Sequence, residues 1–181
     1  MDWIIRLRFG KTSMITQGNI EVTWSKADIE SISYVTRYYT DALSMPASTA
    51  LEKYKEMTVV DHYSSDQLYS KFIKPEYFTW LTNKVGAIHR MQPGYVLPWH
   101  EDNYVRYRQS HGIPDVNQII RVIVFLEDWK IGHIFQLSDR LLSGWKAGDW
   151  ICWAGNNLHL AANLGIENRY TFQITGCLAA Q

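Results

Sequence analysis

The chain has 181 residues, 46% apolar and 20% charged. That length closes a core of about 70% buried surface without disulfide or metal staples, and the composition excludes disorder and collagen-like repeats. Eighteen Lys and Arg balance eighteen Asp and Glu, so neither nucleic acid nor an anionic membrane is indicated as a partner. The longest apolar run, Val122 to Leu126, falls far short of the ~18 residues of a membrane span. The start of the chain lacks the apolar stretch and cleavage site of a secretory signal. With only Cys152 and Cys177, free thiols and a cytoplasmic location are expected.

No internal repeat is present. Asn19 to Trp24 reads as a strand. Ser25 stands where it would cap a helix beginning near Lys26, with Asp28 in the first turn. Pro46 breaks the Tyr-rich segment that follows. Lys74-Pro75-Glu76 opens a second predicted helix, with proline in its first turn. Tyr77, Phe78, Trp80, Leu81 and Val85 are spaced roughly for one helical face, and Gly86 ends it. This N-terminal α/β extension, 1–85, precedes a β-rich core, 86–178, within one domain.

In the core, eight short strands follow one another: 87–92, 95–102, 118–126, 134–137, 141–145, 150–153, 158–162 and 169–175. The third is apolar on both faces, which predicts a central strand. Turn residues separate the later ones, as in Lys146-Ala147-Gly148-Asp149 and Gly155-Asn156-Asn157. Regular spacing of this kind predicts a sandwich or small barrel. Repeating βα units, Gly-x-Gly-x-x-Gly and phosphate-loop sequences are absent. Eight tryptophans either fill a β-rich core or line a pocket.

Of six histidines, His100 alone has a carboxylate two positions on, in His100-Glu101-Asp102. On a strand, positions i and i+2 face one side, so His100 and Asp102 either share a metal ion or form an exposed polar strand end. A two-histidine, one-carboxylate iron site needs a third ligand, and His159 on the seventh strand is a candidate. Arg169 opens the last strand, where Arg169, Thr171, Gln173 and Thr175 share one face and Tyr170, Phe172 and Ile174 the other. The polar face meets either solvent or the barrel interior. Inside, a guanidinium and a hydroxyl would hold a carboxylate.

His100-x-Asp102, distal His159 and Arg169-x-Thr171 together resemble the signature of the iron(II)- and 2-oxoglutarate-dependent dioxygenases. The stretch Met91-Gln92-Pro93-Gly94-Tyr95-Val96-Leu97-Pro98-Trp99-His100 is similar to the lead-in of prolyl and aspartyl/asparaginyl hydroxylase-like members. Lys146-Ala147-Gly148-Asp149 before Trp150 resembles the turn ahead of their distal histidine. The likeness covers about residues 86–177. It implies a mainly β fold, a double-stranded β-helix (cupin-like jelly roll), with the N-terminal helices packed on it. It implies Fe(2+) on His100, Asp102 and His159, with 2-oxoglutarate and O2 as cosubstrates. It places Arg169 and Thr171 on the distal carboxylate of 2-oxoglutarate, and it implies hydroxylation of a C–H bond. The flanks favour an amino-acid side chain, in a small molecule or a peptide.

Arg121 opens the central strand and either faces the pocket or is a surface charge. His133 and Gln136 are further pocket candidates. Arg106 and Arg108 either meet an acidic substrate or lie in a solvated loop. His62, His89 and His111 lack ligand spacing and read as structural. Cys152, between two tryptophans, reads as buried and inert. No Gly-x-Ser-x-Gly elbow marks a hydrolase. Two other readings keep the jelly roll: a metal-binding cupin enzyme without 2-oxoglutarate, and a non-enzymatic binding module.

Overall fold

A computed structural model of the protein describes residues 15–38, 59–63, 71–74 and 76–178. The break of the Tyr-rich segment expected at Pro46 and the helix start at Pro75 lie outside these residues. In chain order the strands are β1 (Ile15–Asn19), β2 (Val35–Tyr38), β3 (Val59–Tyr63), β4 (Leu81–Met91), β5 (Val96–His100), β6 (Ile119–Phe125), β7 (His133–Leu137), β8 (Arg140–Leu142), β9 (Asp149–Ala154), β10 (His159–Asn163) and β11 (Arg169–Leu178). Helices α1 (Lys26–Glu30) and α2 (Val105–His111) are described over their whole length, with a 3-10 turn at Val116–Gln118. None is long and apolar enough to cross a membrane.

The strands form two antiparallel sheets, ordered β1-β9-β6-β11-β4-β3-β2 and β5-β10-β7-β8. Strands β4 to β11 pair from the outside in: β4 with β11, β5 with β10, β6 with β9, β7 with β8. That is one long hairpin. It coils because β11 also pairs with β6 and β10 with β7. Alternate hairpin steps therefore fall in opposite sheets, which is a double-stranded β-helix, the cupin-like jelly roll. Strands β1 to β3 extend the larger sheet at both edges.

Strand β6 shows why the sequence folds this way. All seven of its residues are buried. Ile120, Val122 and Val124 face a core shared with Trp150, Phe172 and Ile174, covered by Trp24, Ile29, Phe72 and Phe78. Ile123 and Phe125 face the second core, between the sheets, with Phe135, Leu137, Trp145 and Trp153. Each such side chain contributes about 1.5–3 kcal/mol of burial. Six of the eight tryptophans lie in or against these two cores, and Trp24 Nε1 donates to the Leu126 carbonyl at 2.8 Å.

Helix α1 carries the expected cap: Asp28 N–H donates to Ser25 Oγ and Ser25 N–H to the Asp28 carboxylate. Two expectations fail. The strand read over 19–24 lies earlier, at Ile15–Asn19, where pairing with β9 fixes it. The helix read over 75–85 ends in strand β4 instead. Leu81, Thr82 and Val85 pair with Leu178, Cys177 and Thr175 of β11, and Gly86 sits opposite Ile174 in mid-ladder. A long partner strand overrides a helical spacing carried by few residues. Arg106 and Arg108 lie on helix α2, not in a loop.

Two turn glycines separate conformation from space. Gly132 and Gly94 have φ of +91° and +86°, a region L side chains disfavour by about 1–2 kcal/mol. A methyl at Gly94 would meet open space, whereas one at Gly132 would run into the backbone of Leu164 and Gly165. Gly94→Ala should therefore cost about 1–2 kcal/mol and Gly132→Ala clearly more, read from urea midpoints at equal m-value. Equal losses would show that the two turns yield freely.

Candidate metal centre

The two sheets enclose a cavity of about 170 Å³. Its wall includes His100, Asp102, Arg121, His159, Arg169 and Thr171, together with His89, Gln173, Phe135 and Trp153. The histidines come from neighbouring strands. His159 of β10 stands directly opposite His100 of β5, with ring centroids 4.2 Å apart. Strand β5 ends at His100, so Asp102 does not share its strand, as the i, i+2 argument expected. It lies in the loop beyond and folds back, its Oδ2 4.0 Å from His159 Nε2.

One ligand atom from each of His100, Asp102 and His159 lies within 4.8 Å of the others. Their tautomers follow from the backbone. Nδ1–H of His100 donates to the Pro98 carbonyl at 2.7 Å, and Nδ1–H of His159 to the Asn157 carbonyl at 2.8 Å. A carbonyl only accepts, so both rings carry their proton on Nδ1 and keep the Nε2 lone pair for a cation. Burial and the neighbouring His100 push His159 down to about 4, which keeps it neutral at neutral pH. Burial alone would raise the Asp102 carboxyl. The Arg121 charge and the two imidazoles outweigh it and hold the group at about 2. Two neutral imidazoles and one carboxylate suit a divalent transition metal with open positions.

Arg121 is a buried partner of this group. Its Nε and Nη2 donate to Asp102 Oδ2 at 3.2 and 2.7 Å, and its Nη1 to Thr175 Oγ1 at 2.6 Å. The Tyr104 ring lies 4.9 Å from the guanidinium. Arg169 is different. It is 3% exposed and lies 5.6 and 5.7 Å from the Phe135 and Trp145 rings. Its Nη1 reaches only Met91 Sδ, at 2.9 Å, and its Nε has no partner. No carboxylate among the described residues pairs with it. Glu127, whose charge it feels, is bonded to Lys130 at 2.8 Å. Burial pulls Arg169 down to about 10, so it stays charged at neutral pH.

Two sequence candidates fall outside the wall. In β7 alternate residues are buried. Phe135 points in, so Gln136 points out, and its amide donates to the Ser138 carbonyl. His133 shares the parity of Phe135 but stands at the strand start, where its Nε2 lies 3.2 Å from the Glu167 carbonyl. His89, read as structural, instead lines the cavity. The signal that could have found it is register: His89 stands opposite Thr171. Cys152 is buried, and burial pushes its thiol up to about 12.

No protein-family model and no curated protein matches the chain. Among solved structures it is similar to a prolyl-4-hydroxylase from Pseudomonas putida, at 13% identity over 84% of this chain and 96% of that one, TM-score 0.45. It is also similar to the Cnp3 cupin domain of Schizosaccharomyces pombe, at 12% identity over 93% and 86%, TM-score 0.40. A predicted oxalate decarboxylase from Thermotoga maritima matches at 14% identity over 66% and 82%, TM-score 0.39.

Removing a ligand tests the centre. His159→Ala should weaken Mn(II) or Fe(II) binding by roughly 100-fold or more, since even outer partners of a metal cost 10–100-fold. The far-UV spectrum should not change. Stoichiometric metal of wild-type affinity would remove His159 from the ligand set.

Proposed function

We propose that this chain is an iron(II)- and 2-oxoglutarate-dependent oxygenase that hydroxylates a C–H bond of an amino-acid side chain, free or peptidyl. One observation carries the reading. The cavity that holds the His-Asp-His group also holds a buried guanidinium with no anion. A lone buried charge costs several kcal/mol, and a dicarboxylate bridging Arg169 and a metal would recover that cost. Thr171, next on the same strand face, offers a hydroxyl to the same carboxylate. Gln173 is four residues along from Arg169, about 13 Å at ~3.3 Å per residue. Gln173 adjoins Arg121, which holds Asp102, so anchor and metal group stand apart within one cavity.

Iron(II), when bound, would supply a redox-active Lewis acid. The overall reaction converts 2-oxoglutarate, O2 and C–H into succinate, CO2 and C–OH. The protein's residues do the rest. His100, His159 and Asp102 hold the ion, and Arg121 occupies Asp102 Oδ2. Arg169 and Thr171 orient the cosubstrate by its far carboxylate. Phe135 and Trp153 keep that wall apolar and exclude water.

The test separates this reading from a cupin enzyme without 2-oxoglutarate. Anaerobic addition of Fe(II) and 2-oxoglutarate should give the visible charge-transfer band of a chelated keto acid. Iron binding without the band supports the cupin without 2-oxoglutarate; neither supports a binding module.

Arg169 gives a second, opposed pair of outcomes. Replacing a buried charge that has no partner relieves desolvation, so Arg169→Met should leave Tm unchanged or raise it. The same change should weaken 2-oxoglutarate by about two to four decades, from the ~3–5 kcal/mol of an orphaned buried carboxylate. Arg169→Lys should recover part, since a point charge lacks the paired donors. Unchanged half-saturation in Arg169→Met would reject the assignment.

A further inference from the structure

The polar wall of the cavity continues past Arg121 to residues the metal and the Arg169 anchor do not use. Gln173 lies between Arg121 and His89. A guanidinium only donates, so the Gln173 amide oxygen must face it, in contact with Nη1 and 2.9 and 3.0 Å from Nη2 and Nε. The Gln173 amide nitrogen then donates to His89 Nδ1 at 3.0 Å. Donor and acceptor roles are thus passed along a chain with no freedom in it. Asp102 accepts from Arg121, Arg121 donates to Gln173, and Gln173 donates to His89.

The consequence is a fixed tautomer. With Nδ1 accepting, a neutral His89 carries its proton on Nε2. No described residue accepts from that Nε2–H. His89 lines the cavity, packs its ring 5.4 Å from that of His62, and stands opposite Thr171 in the β4–β11 ladder. It therefore sits between the Arg169–Thr171 anchor and the Asp102–Arg121 pair. Burial, with His62 and Arg121 nearby, pushes the ring down to about 3, consistent with a ring that stays neutral. A neutral ring so held offers a single donor and no acceptor toward the cavity.

We propose that His89 is a specificity-determining residue whose Nε2–H, set by Gln173, binds an acceptor oxygen of the organic acid anchored on Arg169. This rests on the function proposed above and adds a selection rule. The acid must carry an oxygen acceptor, keto or carboxylate, facing β4 between its two ends. An acid with a protonated amine or a methylene there would leave the Nε2–H buried and unpaired, a cost the correct acid avoids.

The first test needs no ligand. In 15N-histidine spectra of the metal-free protein, the signal lost in His89→Phe should show the Nε2–H neutral tautomer from pH 5 to pH 8. An Nδ1–H tautomer or a charged ring would overturn the proposal. The second is anaerobic calorimetry of the Fe(II)-loaded protein. His89→Phe should keep wild-type iron affinity and lose roughly ten- to a hundredfold in 2-oxoglutarate affinity, the range of a hydrogen bond to a charged group. His89→Gln, which can present an amide N–H near the Nε2 position, should recover part of that loss. This rescue would not follow if His89 served packing alone. Equal 2-oxoglutarate affinity in wild type and His89→Phe would overturn the proposal. If wild type itself ignores 2-oxoglutarate, the proposed function fails separately, and the same comparison is read on oxaloacetate, which also carries a keto oxygen between two carboxylates. A ten- to hundredfold loss in His89→Phe keeps the role of His89; equal binding, or no binding by wild type, ends it.

Discussion

Two guanidiniums buried between the sheets set the terms for the rest of this structure. Arg121 and Arg169 are 8% and 3% exposed. Each forfeits several kcal/mol of hydration, and the fold deals with them in opposite ways. Arg121 is met by Asp102, Thr175 and Gln173. Arg169 is left with a thioether and two aromatic faces. The first arrangement stabilises the ligand-free protein. The second leaves an unpaired charge that an anion can satisfy. Buried polar groups are normally satisfied; among the described residues Glu127, His133, Trp153 and Arg169 each keep a buried polar atom without a partner, and of these four Arg169 is the cation that lines the cavity.

The Arg121 side also explains how a loop residue joins two strand residues in one metal group. His100 and His159 are fixed by a strand register, since a slip of one residue would turn either ring to the other face. Asp102 has no such support. It is held by Arg121 from β6 and by the geometry of the next turn. Tyr104 adopts φ +52°, costly for a bulky residue. Its ring lies against Arg121, and its hydroxyl donates to the Gly155 carbonyl at 3.3 Å. Gly155 belongs to the turn that leads to His159. The strained residue thus ties the loop of one ligand to the approach of another, where stored strain is commonly found.

How much of this was legible in the sequence follows from which forces are local. The central role of β6 was readable because six of its seven buried residues are apolar. The alternation on β11 was readable because period two is visible in Arg169, Thr171, Gln173 and Thr175 against Tyr170, Phe172 and Ile174. The capping box at Ser25 is likewise local. The β4 start at Leu81 was not readable, because its strand state is imposed by β11, nearly a hundred residues away. Strand parity puts Asp102 beside His100 in the sequence. The strand stops at His100, and it is long-range pairing with Arg121 that brings Asp102 back to the same place. His89 was missed for a related reason: its place in the cavity depends on which residue of β11 it faces.

Strand β11 shows why a cavity this polar survives inside a small fold. Its outward residues Tyr170, Phe172 and Ile174 are 4%, 0% and 0% exposed and pack into the apolar core under α1. Ladders to β4 and β6 run along most of its length. One face therefore fixes the register, and the other face inherits it. A slip by one residue would bury Arg169 and Gln173 in the apolar core and expose Phe172 to the cavity, losing on both sides at once. The register that places the β11 side of the site is thus fixed by residues that never touch it. The inward positions are then free to carry groups chosen for chemistry, up to and including a guanidinium with no partner.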